Sequence, residues 1–147
     1  MKSHFLVLLL LVIPAKGSTQ QAPAAPLRGA RSLKCSFPET ASLNWKSSDA
    51  KPELRQQEFS FVIDGIDHKA HKARLIGNLA AVDLDIIDGA NAVTFLEVTP
   101  SGNVNITSVF ADRAAGPRTF KAVHSRHIFT IGGPLPSQAY GSCEIWD

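Results

Sequence analysis

Short runs of alternating apolar and polar residues, separated by turn residues, dominate the chain from about residue 33 onward. In Ala81–Ile86, Val82, Leu84 and Ile86 fall on one face and Asp83 and Asp85 on the other, and the run ends at Asp88-Gly89. Period-two alternation places successive side chains on opposite faces of a strand, so this pattern predicts a half-buried strand with a solvated acidic face. Glu58–Ile63 reads the same way and runs into Asp64-Gly65, a turn signal. Ala92–Val98 and Val104–Phe110, joined by Thr99-Pro100-Ser101-Gly102-Asn103, form the clearest hairpin.

Residues 113–118 predict a further connection, residues 120–131 a long strand, and residues 139–145 a final strand. Between the last two, Gly132–Pro136 predicts a loop, because two prolines in three residues oppose regular pairing. A single helical turn is expected within residues 48–56, where an early proline follows an acidic start. With a strand around Cys35, the count is about seven or eight. That predicts an all-β domain, a small antiparallel barrel or sandwich.

The N-terminus departs from this pattern. Lys2, an apolar run from Phe5 to Ile13, and Pro14 followed by Ala15-Lys16-Gly17 make residues 1–17 a secretory signal peptide, too short to span a bilayer. Residues 18–32, rich in Ala, Pro and Gln, predict a flexible leader, and residues 33–147 one β domain. A secreted or periplasmic protein without a transmembrane segment is expected. Loss of Lys2 and Lys16 brings the fifteen basic side chains to thirteen, equal to the thirteen acidic ones. A neutral chain argues against nucleic acid as a partner.

Cys35 and Cys143 fall in the first and last expected strands. In an oxidising compartment two cysteines predict one disulfide, which would lock the seam of a closed barrel.

Two H-x-x-H pairs follow signal removal, His68/His71 and His124/His127. On a strand an odd separation sends the two rings to opposite faces, so His124 and His127 are not expected to chelate one ion, and the cations around His68 and His71 disfavour a metal there. Val123, Phe129 and Ile131 put Ser125 and His127 on the inward row and His124 and Arg126 outward. The segment bearing His68 and His71, with Lys69, Lys72 and Arg74, reads as a solvated, basic edge strand. No nucleophile elbow, phosphate loop or haem motif is present, so no enzyme activity, cofactor or metal is expected. A metal-binding protein or a hydrolase using His127 and Ser125 is the alternative reading. Asn105-Ile106-Thr107 matches the N-glycosylation sequon.

The stretches FLEVTPSGNVNITSVF (95–110), AVHSRH (122–127) and PLPSQAYGSCEIW (134–146) resemble the C-terminal half of small, secreted, uncharacterised proteins of α-proteobacteria. The resemblance implies a bacterial envelope location and brings no catalytic assignment. A small disulfide-tied β-barrel is also similar in architecture to periplasmic inhibitors of C-type lysozyme. Their S-G-x-x-Y loop is half matched by Ser101-Gly102, with Asn105 at the tyrosine position.

These readings converge on a monomeric, non-enzymatic module that binds a protein or small-molecule ligand. Its candidate contact residues are Ser125, His127, His124, Arg126, Ser101, Gly102, Ser137 and Tyr140.

Overall fold

The computed structural model describes residues 25–43, 45, 51–77 and 80–147. A short helix α1 (Ala25–Gly29) precedes eight strands: β1 (Leu33–Ser42), β2 (Glu53–Asp67), β3 (Lys72–Ile76), β4 (Ala81–Asp88), β5 (Ala92–Val98), β6 (Val104–Gly116), β7 (Thr119–Thr130) and β8 (Gly133–Ile145). Each strand pairs antiparallel with the next, and β1 also pairs with β8, so the sheet closes into an up-and-down barrel. Cys35 stands directly opposite Cys143 across that seam, and the two form a disulfide.

The interior is filled by one parity of each strand. Leu33, Cys35 and Phe37 of β1, Phe61 and Ile63 of β2, Leu84 and Ile86 of β4, Val93 and Phe95 of β5, and Phe120 and Ala122 of β7 are all buried. The opposite parity carries charge: Arg74 makes a two-pronged contact with Asp64, and Lys72 pairs with Asp85. Apolar inside and charged outside is the reverse of a lipid-spanning barrel, whose outer band is apolar. No described helix is long and apolar enough to cross a membrane.

Helix α1 stoppers one end of the barrel. Pro26 occupies its first turn, where the missing N–H costs nothing, and Leu27 and Ala30 point into the core. Backbone bonds from Ile66 to Arg31 and from Trp146 to Ser32, and a bond from Arg28 to the Gly89 carbonyl, fasten the segment to three parts of the rim. The ordered body therefore begins before Leu33, and the latter part of the expected leader belongs to it. Residues 1–24, which include the expected signal peptide, lie outside the described residues.

Other expectations change where strands run further than turn signals suggest. Asp64-Gly65 is a bulge inside β2, not the hairpin turn; Gly65 has φ 57°, and the register with β3 shifts between Asp64 and Asp67. The turn lies at residues 68–71, so His68 and His71 sit on a turn, and β3 behind them is paired on both sides instead of forming an edge. Glu53–Gln56, expected as part of a helical turn, is strand, while residues 48–50 lie outside the described residues. Residues 113–116, expected as a connection, continue β6 through two register shifts.

The Gly132–Pro136 loop becomes the start of β8. Pro134 and Pro136 pair with Phe129 and His127 on the β7 side. The Pro136 carbonyl accepts from Leu43 N, so the face of Pro136 that lacks a donor is turned toward β1, just past the last β1 pair, Ser42 with Ser137. Two prolines two residues apart turn the same face, and here no strand needs their donors.

Candidate functional site: the open end of the barrel

Following the inward rows away from α1, each strand changes from apolar to polar at about the same height. In β5 the row runs Val93, Phe95, Glu97; in β6, Val109, Thr107, Asn105; in β7, Phe120, Ala122, His124, Arg126, Ile128. In β2 it runs Phe61, Phe59, Gln57, Arg55, Glu53, and in β8, Ala139, Ser137, Leu135. Strand register joins these positions into rings. One passes from Glu97 to Asn105, Arg126, Ser137, Ser42 and Glu53. The ring beneath it passes from Phe95 to Thr107, His124, Ala139, Thr40 and Arg55. Among the described residues the barrel is a filled cylinder below and a polar-walled cup above.

The floor of the cup is His124, 6% exposed, in a cage of phenylalanines. The ring centroids of Phe61, Phe59 and Phe37 lie 5.3, 5.5 and 5.7 Å from the imidazole. Nδ1 of His124 shares a hydrogen bond of 2.9 Å with Thr107 Oγ1. Burial, and secondarily the nearby Arg126 guanidinium, push its pKa down to about 4, so the ring is neutral near pH 7.

Two recesses open above this floor, of about 370 Å³ toward the mouth and about 540 Å³ through the side, with Phe59 and Arg126 in the wall of both. The side opening exists because β3 is short: β2 pairs with it only from Val62 onward, leaving the wall low between β2 and β4. Three groups in the cup wall lack protein partners among the described residues: Thr40 Oγ1 and Asn105 Oδ1, both buried, and the Arg126 guanidinium, which has no carboxylate within salt-bridge reach. Buried polar atoms in folded chains are normally satisfied. Glu97 is occupied by Asn105 Nδ2 at 2.7 Å, and Glu53 by Arg55.

The eight candidate contact residues divide into three places. His124, Arg126 and Ser137 line the cup. Ser125, His127 and Tyr140 are on the outer wall, where Gln138 donates to Ser125 Oγ at 3.0 Å and accepts from the Tyr140 hydroxyl at 2.7 Å. Ser101 and Gly102 are exposed at the tip of the β5–β6 turn.

The expected orientation of the two β7 histidines is therefore inverted: His124 is the inward ring and His127 the outward one. Phe129 and Ile131, which suggested the opposite parity, lie beyond the barrel wall. Ser125 and His127 share the outer face without a hydrogen bond between them, which offers no activated nucleophile. Asn105 points into the cup, so its sequon asparagine is not presented on the outside. Its side chain is also not displayed by the turn at Ser101-Gly102. At the other end of the barrel His68 Nδ1 lies 2.8 Å from Asp88 Oδ1, and His71 is 3.9 Å from the same carboxylate.

Thr40, Arg55, Gln57, Phe59, Glu97 and Asn105 were not among the candidates. Their signal is present in the sequence: extending the buried parity of each strand past its last apolar residue reaches all of them except Thr40, which is displaced by a register shift in β1 between Phe37 and Glu39.

No protein-family model, curated protein or solved structure matches the chain.

Proposed function

We propose that this protein is an extracytoplasmic, non-enzymatic binding module that takes a small amphipathic molecule into the open end of its barrel. The observation carrying this reading is the change of the interior from a packed core to a walled recess in which two buried oxygens and one guanidinium have no partner among the described residues. Ligand sites are typically concave, largely apolar and furnished with a few convergent polar groups, and enclose about 300–1,000 Å³. The aromatic floor suits an apolar or aromatic moiety, and Arg126, Asn105 and Thr40 suit a polar or anionic end. A disulfide in the seam and the signal-like pattern of residues 1–17 support a location outside the cytoplasm.

Titration with anilinonaphthalene sulfonate, an aromatic anion, tests this reading. Saturable fluorescence enhancement by the native protein is expected, weakened about tenfold in affinity by Arg126→Glu or by Phe59→Asp, and unchanged by Ile131→Asp at the far tip. Absence of enhancement, or enhancement indifferent to both cup substitutions, overturns it.

A further inference from the structure

The β7–β8 hairpin runs on past the strand pairing of both its neighbours among the described residues. The last β6–β7 pair is Val104 with His127, and the last β1–β8 pair is Ser42 with Ser137. Beyond these, Ile128–Thr130 and Gly133–Leu135 pair as strands only with each other, and the β5–β6 turn braces their base, Asn103 Oδ1 accepting from Phe129 N at 2.8 Å. Three strand residues make a peg about 10 Å tall. Its outer side chains are apolar and solvent-facing: Phe129 is 71% exposed, and Ile131, at the turn, 110%. Residues 127–143 contain no Asp, Glu, Lys or Arg.

The base of the peg is basic. Arg126 is exposed there without an acidic partner among the described residues, and so is Lys51, beside the Pro52 that lines a depression with His127 and Pro136. The carboxylate of Glu53 is taken up by Arg55.

We propose that this hairpin is a membrane-docking peg, inserting Phe129 and Ile131 into the interface of a bilayer containing anionic lipid, with Arg126 and Lys51 at headgroup level. The height of the peg matches the roughly 5–10 Å to which interfacial elements bury their apolar faces. Its shape favours a lipid surface over a protein. The apolar side chains stand on a convex tip instead of lining a recess, and two large residues fall far short of the ~800 Å² per partner that stable protein interfaces bury. The cations at its base, unpaired among the described residues, complement an anionic headgroup layer, and the charge-free tip complements what lies beneath it. This proposal shares Arg126 with the cup, whereas Phe129 and Ile131 belong to the hairpin alone, so substitutions at those two positions test the peg without altering the cup wall.

The test is co-sedimentation of the protein beginning at Ser18, with its disulfide intact, with vesicles of phosphatidylcholine alone or mixed with phosphatidylglycerol. The expected result is partitioning onto the mixed vesicles, weaker onto phosphatidylcholine alone, and reduced about tenfold or more by Ile131→Asp and by Phe129→Asp. Circular dichroism confirms that both variants fold, which their exposed positions allow. The proposal is overturned if the protein stays in the supernatant with both vesicle types, or if both variants sediment as the parent does. It is equally overturned if, without lipid, sedimentation equilibrium shows a dimer that Ile131→Asp dissociates, since the peg would then be a contact between copies.

Discussion

A histidine in an aromatic cage has to give up its charge, and His124 does so with one hydrogen bond to Thr107 in compensation. The fold lowers its pKa from 6.5 to about 4, so folding favours the neutral ring. Below pH 6.5 the unfolded chain binds a proton that the folded chain refuses until about pH 4. The contribution of this site is therefore complete above pH 6.5 and is lost as pH falls toward 4, by on the order of 3 kcal/mol. Urea midpoints of the parent and His124→Gln should accordingly converge as pH is lowered from 7 to 4, and a constant gap would show that the ring is not held neutral. In the sequence the parity of His124 is masked by its neighbours. Val123, Phe129 and Ile131 outweighed Phe120 and Ala122, yet Phe129 and Ile131 belong to a peg where no core exists to attract them. In a strand that outruns its barrel, only the apolar residues at core height report which face is inside.

Among the elements, those with clean alternation were readable and those with an irregularity were not. Asp83 and Asp85 of β4 face solvent as the pattern required, and β5 has the boundaries that its flanking turn residues imply. Asp64-Gly65 misled because the same dipeptide serves a turn and a bulge, and only pairing with β3 decides between them. Pro134 and Pro136 misled because the cost of a missing donor depends on whether a strand lies on that side. In β1 a register shift around Pro38 is made possible by Gly141 across the seam, where a Cβ would come within 2.8 Å of Phe37 Cα. The chain near Gly141 gives no local sign of this, because the constraint lies about a hundred residues away.

Helix α1 is the element whose role is least visible in sequence, being five residues long in an Ala/Pro-rich stretch. So short a helix has no stability of its own and is held by the burial of its side chains. Leu27→Ala should cost about 2–4 kcal/mol in denaturant unfolding, the range for emptying a buried leucine site. A loss below about 0.5 kcal/mol would place α1 outside the cooperative unit.

At the scale of the molecule, closure distinguishes this fold from an open sheet. The closed order was within reach of the sequence, since short links predict a meander and the cysteine positions predict which strands meet. The cup was not, because nothing in the strand pattern tells a filled barrel end from an open one. The disulfide spans 108 residues, and a covalent loop of that size removes chain entropy worth roughly 4–5 kcal/mol. Replacing Cys35 and Cys143 together by alanine should lower unfolding free energy by about that amount. The urea m-value should rise as well, because the uncrosslinked unfolded chain exposes more surface. A double variant as stable as the parent would mean that strand pairing alone secures the seam.

The seam also imposes an order on assembly. Seven of the eight strand pairings join neighbours in sequence and can zip up as hairpins, whereas β1 with β8 must wait for both ends of the barrel to meet. In a chain that forms from its N-terminus onward, β1 gains β2 on one edge while its other edge stays bare and Cys35 stays a free thiol, and both remain so until Cys143 follows. During that interval the same strand is open to mispairing and to oxidation by the wrong partner. The step most sensitive to redox conditions is thus the last one, when a single event hides the bare edge and consumes the thiol.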